Sequence, residues 1–172
     1  MGDISEPELR SDGPNFHNMI KLGETLTADD AIQALYVFNS NPAATAPNQN
    51  KVLAGLARDD LFVVVHELFM SDTAKSANLV LPACTQAEQW DLHRSYWHDY
   101  AQINNPAIEP QGEARSNHWV FGQIAQAMGF DEPCFRESEE DTLRGLLAGT
   151  GLDFDALAAG PVSCMPVDET SF

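Results

Sequence analysis

Apolar positions along the chain fall into three short continuous runs, separated by segments in which they recur every three to four residues. The runs are "IQALYVF" (32–38), "LFVVVHE" (61–67) and "NLVLPA" (78–83). Runs of this length, rich in Val and aromatics, predict strands buried on both faces of a sheet. Between the first two, "NQNKVLAGLARDD" places Val52, Leu53, Leu56 and Ala57 on one helical face, with Pro47 just ahead of it. "SDTAKSA" (71–77) predicts a brief helix before the third run. Strand, helix, strand, short helix, strand is the order of a parallel sheet with crossover helices, and therefore of an α/β fold.

Outside this middle section the pattern changes. Residues 1–14 are polar and rich in turn formers, which predicts a loosely ordered segment. "NFHNMIKLGETL" spaces Phe16, Met19, Ile20 and Leu22 as a helix does, and "TADD" (27–30) reads as a helix start or turn. From 84 to 114 the periodicity fades into a polar and aromatic stretch that reads as a loop lining a cleft or an interface. "NHWVFGQIAQAMG" restores a helix, with Val120, Phe121, Ile124, Ala125 and Met128 on one face and Gly129 as its stop. Two short helices follow, in "SEEDTLRGLLAG" and "DFDALAAG", the first with Ser138 three residues ahead of Asp141 as a cap; the tail has no pattern. The expected organisation is a loose segment over 1–14, a sheet domain over 15–135, and short helices with an irregular tail over 136–172.

Charge narrows the possible partners. The 172 residues carry 26 acidic and 9 basic side chains, a net charge of −17, with no cluster of Lys or Arg that could neutralise phosphates. Nucleic acid is thereby excluded as a partner. No stretch approaches the roughly 18 apolar residues of a membrane helix, so no membrane partner is expected. Cys84, Cys134 and Cys164 are far apart and in no CxxC spacing, which predicts free thiols in a reducing, cytoplasmic compartment and no cysteine-rich metal site.

Ligands of a parallel sheet bind beyond the carboxyl ends of its strands, and two of these ends are polar. The first is Asn39-Ser40-Asn41-Pro42; the second is His66-Glu67. A carboxylate such as Glu67 can accept from both hydroxyls of a ribose, while the missing GxGxxG leaves a solvated strand end open as the alternative. Asp91, His93, His98, Asp99 and His118 are metal-ligand types at poor spacing, and His93 or His98 as acid or base lacks an identifiable partner. Ser40, Ser71 and Ser95 sit in no nucleophile motif.

Taken together, "ALYVFNSNPAAT", "LFVVVHELFMSDTAKSANLVLPACTQAE" and "PAIEPQGEARSNHWVFGQIAQAMGF" resemble the molybdopterin oxidoreductase family, the dimethyl sulfoxide reductase and formate dehydrogenase group. The shared elements are a strand ending in Gly-x-Asn/Asp-Pro, a second ending in Asp or Glu, a Thr-containing turn, "ADxxLP" with a following Glu, and "P-x-GEA" before a helix. The resemblance implies a three-layer Rossmann-like parallel sheet that binds a molybdopterin guanine dinucleotide. It places cofactor contacts at Asn39, Ser40, Asn41, Thr45, His66, Glu67, Asp72, Thr73 and Gln102, and no catalytic residue or metal ligand in this chain. The molybdenum or tungsten, and an iron–sulfur cluster, are then held by the remaining domains of a larger catalytic subunit, the chain's expected partners. The chain alone is expected to be inactive, and a stand-alone nucleotide- or protein-binding module is the alternative. Asn39 stands where the family has Gly, Asp99-Tyr100-Ala101 where it often has Gly-Arg before the Gln, and Asn78 where it has Asp.

Overall fold

The computed structural model describes residues 17–28, 32–94, 97–98, 100–160 and 163–164, the last two in backbone only. The segments expected to be loosely ordered at 1–14 and unpatterned beyond 164 lie outside the described residues. The chain divides into two compact units, Met1–Pro82 and Ala83–Phe172. The sheet domain expected over 15–135 crosses this division, because the parallel pattern ends at Pro82 and an antiparallel one begins after it.

In the first unit a turn at Met19–Lys21 leads into α1 (Leu22–Thr27), followed by β1 (Ala34–Phe38), α2 (Pro42–Thr45), α3 (Gln49–Leu56), β2 (Phe62–Glu67), α4 (Asp72–Lys75) and β3 (Leu79–Pro82). The three strands form a parallel sheet in the order β1-β2-β3, so the α/β fold expected from the three apolar runs is present. "TADD" begins where α1 ends: Thr27 closes that helix, its hydroxyl donating to the Gly23 carbonyl at 2.8 Å. Asp29 and Asp30 lie outside the described residues.

Register explains which half of each strand is buried. Val37 pairs with Val65 and Val65 with Val80, so these side chains share one face. There they meet Leu26, Ala43, Val52, Leu56 and Ala74 from the helices in a single core, in which Val63 and Val65 are fully buried. The opposite face carries half-buried Tyr36, Val64 and Leu81, and Phe38, Phe62 and Leu79 are exposed by 44%, 53% and 45%. Burial on both faces, as the continuous runs predict, thus holds for one face, while on the other His66 alone among these strand residues is fully buried. Arg58 ties the end of α1 to the start of β1 by donating to the carbonyls of Leu26 (2.9 Å) and Ile32 (3.2 Å).

The second unit contains β4 (Asp91–Arg94), β5 (Tyr100–Asn104), α5 (Asn117–Ala127), α6 (Glu139–Leu147), α7 (Phe154–Ala159) and β6 (Ser163–Cys164). β4, β5 and β6 form an antiparallel sheet, so the stretch read as a loop contains a strand pair. The signal was a short alternation: Ala101 and Ile103 are buried while Tyr100 and Gln102 are exposed. Ile103 packs with Leu143, Leu147, Phe154 and Leu157 in this unit's own core. α5 ends as expected, with Gly129 at φ +90°, but it buries Val120 and Ala125 while Phe121 and Met128 remain exposed. The two later helices, α6 and α7, and the Ser138 cap, which accepts from the Asp141 N–H at 3.0 Å, form where the pattern places them.

Candidate functional site

The first unit's polar strand ends lie at one edge of the sheet. Phe38 is in register with His66, so Asn39 and Glu67 follow at the ends of neighbouring parallel strands. Asn39 takes φ +50°, the left-handed conformation that the Gly of the related motif would supply and that Asn adopts more readily than most residues. This bend turns Ser40, Asn41 and Pro42 away from the strand direction and starts α2, and it leaves Asn39 and Ser40 exposed.

Asn41 does not point idly into solvent. Its Oδ1 accepts the Thr73 hydroxyl at 2.7 Å and the Thr73 N–H at 3.2 Å, while the same hydroxyl accepts the Ala43 N–H at 3.0 Å. The loop after β1 and the loop after β2 are joined by these bonds. Thr45 donates its hydroxyl back to the Asn41 carbonyl at 3.0 Å and is itself exposed. Glu67 is half-buried, with Oε1 accepting the Leu68 N–H at 2.8 Å; its second carboxylate oxygen has no partner among the described residues.

The other expected contacts are placed differently. His66 is buried to 1% exposure, and its Nε2 donates to the Pro82 carbonyl at 3.3 Å, linking β2 to the end of β3. Asp72 lies in the first turn of α4 and pairs with Lys75 at 3.0 Å. Gln102 is exposed on β5, opposite His93, and belongs to the second unit. Of the metal-ligand types, the His98 Nδ1 accepts the Tyr100 N–H at 3.2 Å, His118 lies 3.0 Å from the Thr142 hydroxyl, and Asp91 accepts the Leu92 N–H at 2.8 Å. Asp99 and Ser95 lie outside the described residues. Among the described residues no three such side chains gather as a metal site.

One functional-looking carboxylate was not singled out from the sequence. Glu88 is 6% exposed, and its two oxygens accept the Thr85 N–H and the Gln111 N–H, each at 2.6 Å. The Thr85 side chain completes a capping box, and the Thr-x-x-Glu spacing was its legible signal. The backbone N–H of Thr85, its side chain and the Gln111 N–H together hold the Glu88 carboxyl below the ordinary glutamate range, against the opposing effect of burial. A depressed folded-state value adds stability above the unfolded-state value of about 4.3, and this is lost as pH falls through the folded value. Thermal unfolding followed at pH 6 and pH 3 is therefore expected to show a smaller acid loss in Glu88→Gln than in the wild type; equal losses would remove Glu88 from the acid response.

Residues 15–127 match the family model described as "Molybdopterin oxidoreductase". The chain belongs to the molybdopterin oxidoreductase family. It is 44% identical over 146 residues to "Probable oxidoreductase YoaE" of Bacillus subtilis (strain 168), covering 84% of this chain and 22% of that protein. It is 31% identical over 110 residues to "F420-dependent formate dehydrogenase subunit alpha" of Methanocaldococcus jannaschii, covering 64% of this chain and 16% of that protein. The solved structure titled "Acetylene Hydratase from Pelobacter acetylenicus" shares the fold with a TM-score of 0.72 at 22% identity, covering 85% of this chain and 20% of that one.

A molybdopterin oxidoreductase domain of this size thus spans about a fifth of its longer relatives, in which other domains accompany the matching region. Family membership implies a molybdopterin cofactor with molybdenum or tungsten. Among the described residues no helix is long and apolar enough to cross a membrane.

Proposed function

We propose that the chain is a cofactor-binding domain of a molybdenum- or tungsten-dependent oxidoreductase, and that the carboxyl edge of β1 and β2 holds the nucleotide end of a molybdopterin guanine dinucleotide. The observation that carries this reading is the register that sets Asn39 and Glu67 at neighbouring strand ends, the first bent at φ +50° and the second with an unpartnered carboxylate oxygen among the described residues. A bent polar loop beside a strand-end carboxylate fits a ligand carrying a ribose diol.

In this reading Glu67 accepts the ribose hydroxyls, and Asn39, Ser40 and the Asn41 amide nitrogen face the dinucleotide. When bound, the cofactor supplies the metal centre for a two-electron redox or oxygen-atom transfer reaction; this chain holds and orients the far end of it. The metal ligand and any iron–sulfur cluster belong to the remaining domains of the catalytic subunit. Exposed Phe38, Phe62 and Leu79, on a parallel sheet face that such folds normally cover, support the view that those domains pack against this one. A cytoplasmic location is supported by Cys84 and Cys134, both free thiols.

Two measurements on the purified chain test the reading. Calorimetric titration is expected to show guanosine diphosphate binding in preference to adenosine diphosphate, and a dye-linked assay to show no oxidoreductase turnover. Equal affinity for the two nucleotides, or substantial turnover by the chain alone, overturns it.

A further inference from the structure

We propose that Asn41 and Thr73 act as positioning residues, clasping the loops after β1 and β2 into one ordering unit rather than serving mainly as cofactor contacts. The ligand in this proposal rests on the cofactor-binding reading above; the mechanics of the clasp do not. Thr73 is fully buried, and its hydroxyl both donates to Asn41 Oδ1 (2.7 Å) and accepts from the Ala43 N–H (3.0 Å). Asn41 Oδ1 takes a second bond from the Thr73 N–H at 3.2 Å.

Asn41 also organises its own loop. Its carbonyl accepts the N–H groups of Ala44 and Thr45, each at 3.0 Å, and the Thr45 hydroxyl at 3.0 Å. Gln49 donates to the Ala43 carbonyl at 2.8 Å, so the turn is anchored from α3 as well. The acceptor atoms of Asn41 are therefore engaged by the protein, and its side-chain amide nitrogen has no partner among the described residues. Removing this buried hydroxyl leaves the Ala43 N–H without its acceptor and takes from Asn41 Oδ1 the shorter of its two bonds, leaving only the one from the Thr73 N–H. Both loops then lose their common support, and the edge carrying Asn39, Ser40 and Glu67 opens.

Thr73→Val keeps the shape and removes the hydroxyl, whereas Thr73→Ser keeps the hydroxyl. Asn41→Leu and Asn41→Asp repeat the contrast from the other side, since Asp retains the acceptor oxygen. Amide hydrogen exchange is expected to rise about tenfold or more at Ala43, Ala44 and Thr45 in Thr73→Val and Asn41→Leu, with Val63 and Val65 of β2 unchanged. Thr73→Ser and Asn41→Asp should restore wild-type exchange. Unchanged loop exchange in both disruptive variants, or an equal rise at all amides, overturns the clasp, the second result marking a loss of global stability only. Should Thr73→Val fail to fold, Asn41→Leu, at a half-buried position, decides the same question. Guanosine diphosphate affinity is expected to fall about tenfold in Thr73→Val and return in Thr73→Ser. A wild-type chain that binds no guanosine diphosphate counts against the cofactor reading, while the exchange measurements still decide the clasp.

Discussion

Replacing Glu67 by Ala is expected to weaken guanosine binding by about 10- to 100-fold, the range set by losing charge-assisted hydrogen bonds worth about 1.5–3 kcal/mol. Guanosine is the informative probe because it is neutral, so removing a carboxylate does not relieve repulsion of a phosphate at the same time. The wild type should prefer guanosine to 2′-deoxyguanosine, and Glu67→Ala should lose that preference, because the discriminating hydroxyl no longer has its acceptor. The folded-state role of Glu67 is confined to accepting the Leu68 N–H, so the thermal midpoint should change little. If Glu67→Ala retains both the affinity and the preference, the carboxyl edge is not the ribose site.

The largest expected effect on stability comes from Gly55. α1 and α3 approach so closely that a Cβ on Gly55 would lie 2.3 Å from the Cβ of fully buried Leu26, and one on Gly23 would lie 2.8 Å from the Lys51 Cβ. Ala favours a helix over Gly by about 1 kcal/mol, but forcing Leu26 aside in a filled core costs about 3 kcal/mol. The net loss of about 2 kcal/mol should lower the unfolding midpoint of Gly55→Ala by roughly 4–8 °C in a chain of 172 residues. Gly145→Ala on α6 is the control, since its Cβ would meet nothing within 4 Å, and it should be neutral or slightly stabilising. A Gly55→Ala chain as stable as the wild type would mean that α1 does not pack on α3 at this point.

Much of the first unit is legible along the chain because each strand is a continuous apolar run and each turn carries its own chemistry. Asn39 could stand for a Gly since its short polar side chain tolerates the left-handed region, and the structure gives it φ +50°. The strand pair at 91–104 was obscured because only Ala101 and Ile103 are buried on β5, too short an alternation to stand out from the charged and aromatic residues around it. Glu88 was readable as part of a capping box, but its second bond, to the Gln111 N–H, joins positions whose separation no local pattern reveals.

By itself the sequence determined the parallel α/β unit, the strand ends at Asn39 and Glu67, the caps at Ser138 and Gly129, and membership of the family, because these depend on periodicity and on residues adjacent in the chain. Only the tertiary structure decided that Asn41 Oδ1 is occupied by Thr73, that His66 is buried against the Pro82 carbonyl, and that one face of the sheet keeps Phe38, Phe62 and Leu79 exposed. Those outcomes depend on which atoms distant in sequence come within about 3 Å of one another, the reach of a hydrogen bond, and on which surfaces find a partner.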